Sequence, residues 1–167
     1  MPHPLTLALF PTSAMAIEAA ATLHSLGIDG ERISVVARSH ADERSLAEQM
    51  DATAGVELED SRPAARLGEL GGLVLAAIAL VMPGIGPVVA AGPLAAELGE
   101  AAGHAAGSLA SVLTAAGLPE ERADAMQRSI ANGAVLLGVH SEPADVDRIT
   151  ASLSRAGASR LETVTWT

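Results

Sequence analysis

The chain contains no cysteine, tyrosine or lysine, and it has only one phenylalanine and one tryptophan. Without cysteine there can be no disulfide, no thiol catalysis and no thiolate metal site. Phe10 and Trp166 are too few to form the aromatic platforms on which single-stranded nucleic acid stacks. A net charge of −10 excludes a basic surface for nucleic acid or anionic lipid. We therefore expect no nucleic-acid partner.

The chain contains enough apolar residues to build a sizeable core. It has 167 residues, of which 49% are hydrophobic, and this length suits one domain, 1–167. Ala, Leu, Val and Gly supply the apolarity. The first residues, MPHPLTLALFP, have no basic region and no cleavage site, so they predict a strand and not a signal peptide. With the absence of cysteine, this favours a cytoplasmic location.

Two segments of the chain resemble each other. Leu5–Ala37 and Ala134–Trp166 each have an apolar run, a turn, a helical period that closes on glycine (Gly27 or Gly157), and a second β-rich run. Two βαβ units of this size predict an α+β domain, a ferredoxin-like split βαβ sandwich. An Ala/Gly-rich helical insert separates the halves, which gives the boundaries 5–37, 38–133 and 134–167.

Capping residues and apolar spacing predict a helix in each half and one at the end of the insert. Thr12 or Ser13 can cap the first, and Ser141 the second. The third begins at Leu118–Pro119 and stops at Asn132–Gly133. The predicted buried positions are Ala16, Ala20, Leu23 and Leu26 in the first helix, Val146, Ile149 and Leu153 in the second, and Ala123, Met126 and Ile130 in the third.

The rest of the insert has a different character. His40–Gln49 is polar and could form a short helix, and Asp51–Arg66 predicts an acidic loop or an irregular strand. Leu70–Ala96 carries no charge and is interrupted by Pro83, Gly84, Gly86 and Pro87. We interpret this run as two helical pieces joined by a sharp turn, with Pro87 opening the second. A long Ala/Gly helix is then expected to reach Gly117.

Glycines recur on that long helix at Gly99, Gly103 and Gly107, and Gly68 and Gly72 repeat the spacing earlier. Each glycine costs a helix about 1 kcal/mol relative to alanine. A row of them is useful where another helix approaches closely, as in a glycine zipper. A packed helical hairpin within the chain is the favoured interpretation. Self-association and membrane insertion are the alternatives.

Leu70–Ala96 is long enough for a membrane span, which takes about 20 apolar residues. The Pro-Gly break near its middle and the flanking acids Glu69 and Glu97 argue against one. No cofactor or metal site is predicted, because the PGIGP turn lacks the Lys-Ser/Thr of a phosphate-binding loop and the histidines lack ligand spacing. The histidines are His3, His24, His40, His104 and His140. No catalytic constellation is present, so we expect no enzyme.

The segments ALFPTSAMAIEAAATLHSLGIDGERISVVAR, MPGIGPVVAAGPLAAELG and GLPEERADAMQRSIANGAVLLGVHS resemble the YflT-like general stress protein family of bacteria. Some of its members are labelled heat- or low-temperature-induced, and some are called predicted membrane proteins. The resemblance covers nearly the whole chain. It implies a stress-associated cytoplasmic protein without established catalysis, and it supplies no catalytic residues.

The sequence thus favours a non-enzymatic stress-response protein that acts through protein contacts, as a homodimer with an unknown further partner. Alternatives are a small-molecule-sensing ferredoxin-like module and a membrane-associated protein that uses the Gly-rich insert. The small-molecule-sensing module rests on analogy with the fold, in which ligands often bind at the edge of a sheet, and such binding would distinguish it from the other hypotheses. Purification without detergent would argue against the second.

Overall fold

The computed structural model describes residues 1–38, 77–82, 84–102 and 107–167. In these ranges the chain forms strands and α-helices, so the α+β class predicted from the sequence is confirmed. The strands are His3–Phe10 (β1), Ile33–Arg38 (β2), Ala77–Met82 (β3), Gly86–Ala91 (β4), Val135–His140 (β5) and Arg160–Trp166 (β6). The helices are Ser13–Ser25 (α1), Pro93–Ala102 (α2), Leu109–Ala115 (α3), Glu120–Ala131 (α4) and Val146–Arg155 (α5).

All six strands belong to one sheet in the order β3-β4-β2-β5-β1-β6, and every neighbouring pair is antiparallel. β1 lies between the two strands of the C-terminal half. Its Leu9 faces Leu136 of β5, and its His3 faces Trp166 of β6. The insert adds β3 and β4 beside β2, so it extends the sheet built by the two halves.

Helices cover both faces of the sheet, because successive side chains of a strand point to opposite sides. α1 and α5 pack on one face, over alternate residues of β1, β2 and β5 that are buried with them. α2, α3 and α4 pack on the other face. The first core includes Ala8, Phe10, Ile33, Val35, Leu137 and Val139, and the second includes Leu5, Leu7, Leu9, Val36, Val88 and Leu136.

The ends predicted for α1, α4 and α5 agree with the structure, with one exception. Thr12 caps α1, since its hydroxyl accepts a hydrogen bond from the Met15 amide at 3.3 Å. The stops at Gly27, Gly133 and Gly157 all have positive φ, as a left-handed helix end requires. The buried residues of α4 are the predicted Ala123, Met126 and Ile130.

Ser141 is the exception, because it does not cap a helix. Its amide donates to the Pro4 carbonyl at 3.0 Å, which continues the pairing of β5 with β1. A single 3₁₀ turn, Pro143–Asp145, follows before α5 begins at Val146. Strand pairing therefore takes the backbone of Ser141 away from the start of the helix.

The prediction that Leu70–Ala96 forms two helical pieces is wrong for the part that the structure describes. That part is a β-hairpin, β3 and β4, followed by the start of α2. Pro87 lies in β4 opposite Val81 and does not open a helix. Gly84 and Gly86 have φ of +81° and +89°, which is how the chain reverses. The run Val88–Ala91 is buried throughout, so it lacks the alternation that identifies a strand.

A continuous Ala/Gly helix to Gly117 is also wrong. α2 ends at Ala102, and α3 begins only at Leu109, where the Ser108 hydroxyl caps it by accepting from the Ser111 amide at 3.1 Å. Gly99 lies on α2, but Gly107 lies in the irregular stretch before α3, so the two are not on one helix. Gly68, Gly72, Gly103 and Pro83 lie outside the described residues, as do His40, His104 and the segments predicted as a short helix and an acidic loop.

Two small residues of the sheet, Ser34 and Gly138, contact the start of α2. The Leu94 amide donates to the buried Ser34 hydroxyl at 3.0 Å, so a β2 side chain caps this helix. On the neighbouring strand, a Cβ at Gly138 would lie 2.8 Å from the Leu94 side chain. Glycine at 138 therefore leaves the room that Leu94 occupies.

Candidate functional site

A cavity of about 510 Å³ lies between α2, α3 and the end of β6. One wall comes from α2, a second from α3, and a third from Trp166, the last residue of β6, and Thr167, which follows it. Its volume is in the range of pockets that hold small organic molecules, about 300–1,000 Å³. The described lining residues are Glu97, Glu100, Ala101, Gly107, Ser111, Val112, Ala115, Ala116, Trp166 and Thr167.

Helical spacing explains which side chains reach the cavity. Glu97, Glu100 and Ala101 are three and four residues apart and so share one side of α2. Val112, Ala115 and Ala116 share one side of α3 in the same way. The two helices thus offer a partly acidic wall and an apolar wall to the same space.

Gly107 shapes the end of this space where the chain passes from α2 to α3. A Cβ at Gly107 would overlap the backbone carbonyl of Ala101, so only glycine allows the two segments to come so close. This contact is a local one at a break between helices, so it is not the helix–helix packing that the glycine spacing predicted. The side of Gly107 that a second helix would need is already occupied.

Trp166 forms the third wall and connects the cavity to a pair of histidines. It is half-buried near the end of β6 and packs against the core under α2, α3 and α4. Its ring meets the His140 ring edge to face, with centroids 5.3 Å apart. His3 stacks at a tilt on the other side of His140, with centroids 5.0 Å apart. The three rings come from β6, β5 and β1.

A hydrogen bond of 2.8 Å joins His3 Nε2 to His140 Nδ1. The direction of this bond follows from a second contact, because His3 Nδ1 lies 3.1 Å from the Met1 carbonyl oxygen, which can only accept. In neutral His3 the proton is then on Nδ1, and Nε2 accepts. His140 Nδ1–H must therefore donate, which leaves His140 Nε2 as a bare nitrogen, buried and without a partner among the described residues.

His140 is only 7% exposed. Burial, and then the neighbouring His3, lower the pKa of His140 from 6.5 to about 4. The ring is consequently neutral near pH 7, in agreement with the tautomer derived from the hydrogen bonds. In the part of the chain that the structure describes, no three side chains of His, Asp or Glu come together as metal ligands. The pair His3 and His140 is thus a packed, hydrogen-bonded unit behind Trp166.

Of the proposed interaction residues that the structure describes, Gly84, Gly86 and Pro87 lie in the β3–β4 hairpin, whereas Gly99 and Gly107 lie on α2 and before α3. Gly84 lies in the hairpin turn, where a Cβ would come within 2.7 Å of the Gln127 side chain. Gln127 also accepts a hydrogen bond from the Ala110 amide at 2.9 Å, so it joins α4 to the start of α3. Gly86 and Pro87 lie in β4. These residues therefore shape the turn and the packing around it.

Sequence reasoning missed the residues that the fold does bring together, namely Glu97, Glu100, His3, His140 and Trp166. One signal was available. A split βαβ arrangement places the start of β1 against the ends of β5 and β6, so His3, His140 and Trp166 could have been expected at one end of the sheet. The acids of α2 gave no comparable signal, because they face a cavity that exists only where α2 and α3 separate.

Comparisons with known proteins identify no relative: no family model matches the chain, and neither curated proteins nor solved structures give a significant match. The resemblance to YflT-like proteins therefore stays a prediction from the sequence. In the described ranges, no helix has both the length and the apolar character that crossing a membrane requires.

Proposed function

We propose that this protein is a ferredoxin-like module that binds a small organic molecule without catalysis, in the cavity beside Trp166. The cavity is the observation that carries the proposal. It combines a volume of about 510 Å³, apolar side chains from α3, a few polar groups and one of the two aromatic residues of the chain. Ligand sites in proteins have this combination of an apolar lining with few polar groups.

The ferredoxin-like part of the proposal is supported by the order of four strands, β2-β5-β1-β6. In this order α1 connects β1 to β2 across β5, and α5 connects β5 to β6 across β1. Both helices pack in the same core on one face, as in a split βαβ sandwich. The insert lies in the connection from β2 to β5, and its helices cover the face that such a sandwich leaves open. A ligand site built by that insert is a feature added to the fold.

Thermal-shift screening against metabolites, together with Trp166 fluorescence, tests the proposal. Because the chain has no tyrosine and one tryptophan, its emission comes from Trp166 alone. A neutral apolar probe, N-phenylnaphthylamine, should quench that emission with saturable binding. Ala115→Leu places a larger side chain in the cavity and should weaken binding. Ala21→Leu, the same change at an exposed position of α1, should not.

Two results would refute the proposal. The first is the absence of any saturable ligand or probe. The second is equal loss of binding in Ala115→Leu and Ala21→Leu, because binding would then not depend on the cavity.

Self-association is a second candidate, and the position of β6 favours it. β6 is an edge strand whose one strand neighbour in the described residues is β1. An edge strand can pair with the same strand of another copy. The covered sheet face and the occupied side of Gly107 argue against the other routes to a homodimer. Light scattering after size-exclusion chromatography measures the outcome, and a monomer across the accessible concentrations would exclude the dimer.

The cytoplasmic location and the association with bacterial stress remain part of the proposal on the strength of the sequence resemblance. Expression under heat and cold, measured in the source organism, tests the second. No induction under either condition would remove the stress response from the proposal without affecting ligand binding.

A further inference from the structure

The charged side chains among the described lining residues of the cavity are both acidic. Glu97 and Glu100 lie on its α2 wall, and no described lining residue is basic. The ion pairs formed within the described part of the chain involve Arg122 and Arg148, and neither includes these two carboxylates. The carboxylates are thus available to a ligand, and a net charge of −10 adds a general attraction for cations.

Trp166 adds a second group that attracts cations. The face of an indole carries negative electrostatic potential, and tryptophan is the aromatic side chain that binds organic cations best. The T-shaped contact with His140 and the packing beneath α2–α4 hold the ring at the cavity wall. Opposite the acids, Val112, Ala115 and Ala116 provide an apolar surface. A strongly hydrated inorganic ion gains nothing from such a surface.

We propose that the ligand of this cavity is an organic cation, an amine or quaternary ammonium compound with an apolar body, held between Trp166 and the carboxylates of Glu97 and Glu100. The inference rests on the proposed function, since it specifies the ligand class of the same cavity. The ammonium group lies toward α2, and the apolar body lies against α3. An anionic ligand is disfavoured by both carboxylates.

The test uses the full chain and a matched pair of probes, choline and 3,3-dimethylbutanol, which have the same shape and differ in charge. Choline should perturb Trp166 fluorescence with an affinity about tenfold higher than that of the neutral alcohol, from two exposed carboxylates and one cation–π contact. The double variant Glu97→Gln/Glu100→Gln should remove most of this preference. The control Glu18→Gln/Glu31→Gln makes the same change in net charge at exposed positions and should keep it.

Trp166→Leu separates the aromatic contribution from that of the acids. This variant has no fluorophore, so calorimetry measures its binding, and choline affinity should fall several-fold while that of the alcohol changes less.

The outcomes of these experiments distinguish a wrong ligand class from the absence of a binding site. Equal affinity for choline and the alcohol would overturn the cation. A preference that survives undiminished in Glu97→Gln/Glu100→Gln would overturn the proposed binding between Trp166 and these two carboxylates. If N-phenylnaphthylamine still binds in the cavity and is displaced by neither probe, the cation is also refuted but the proposed function stands. If no probe binds at all, the proposed function itself fails.

Discussion

Protonation of His140 should destabilise the fold as the pH falls. The pKa of this ring is about 4 in the folded chain and 6.5 when unfolded, because burial and His3 disfavour the charged form. As the pH falls below 6.5 the unfolded chain takes up the proton first, so stability is lost between these two values. Linkage with this shift removes about 2 kcal/mol of the free energy of unfolding by about pH 5, and about 3 kcal/mol by pH 4.

The variant His140→Asn isolates this effect. Its amide nitrogen can occupy the position of Nδ1 and donate to His3, but the side chain does not titrate. Urea denaturation of both proteins between about pH 8 and about pH 4.5 gives the free energy of unfolding at each pH. Acidic residues affect both proteins alike, so the difference between them reports His140.

We expect that difference to shift by about 2–3 kcal/mol in favour of His140→Asn as the pH falls through this range. His24→Asn makes the same change at an exposed position of α1 and is the matched control. Parallel profiles for His140→Asn and the unaltered chain would refute the reasoning, since they would mean that His140 titrates normally in the folded protein.

Three further predictions concern how the helices are held, and urea denaturation measures each. Gly138→Ala should lower the free energy of unfolding by about 1–3 kcal/mol, because the new methyl group overlaps the side chain of Leu94; an unchanged value would mean that α2 shifts freely. Ser34→Ala should cost about 1–2 kcal/mol, since the Leu94 amide loses its buried acceptor, and Ser34→Thr, which keeps a hydroxyl, is the comparison. Gly27→Ala should cost about 1 kcal/mol from its φ of +85° alone, because space around it is open, and a neutral result would contradict the left-handed helix end.

Apolar periodicity and glycine stops were sufficient to predict the helices that have one polar side exposed to solvent. α4 illustrates this, since its three buried residues repeat every three to four positions between exposed ones. The stops after α1, α4 and α5 followed from glycine, because only glycine adopts their backbone conformation at little cost. These signals are local, so tertiary packing did not alter them.

The hairpin β3–β4 could not be identified in the same way. Residues Val88–Ala91 of β4 are all buried, which removes the alternation of polar and apolar residues that identifies a strand. An uncharged run of this length then fits a helix equally well. The separation of α2 from α3 had a signal, Gly107 followed by the capping Ser108, but the regular glycine spacing suggested a longer helix.

The candidate site depends on contacts that no local pattern contains. His3 and His140 are 137 positions apart, and only the pairing of β1 with β5 brings them together. The cavity requires α2 and α3 to diverge while Trp166 closes the space from another strand. Such a site becomes predictable only after the order of the strands is known.

The position of β1 has a consequence for how the chain is made. This strand is synthesised before both of its partners, because α1, β2 and the whole insert separate it in sequence from β5 and β6. Until they emerge, the backbone of β1 has no strand beside it, and Leu5, Leu7 and Leu9 lack the neighbours that bury them in the core. Closing so long a loop is slow, and unpaired edges of this kind aggregate. We therefore expect a nascent chain of this protein to bind chaperones until β5 and β6 have emerged and paired with β1.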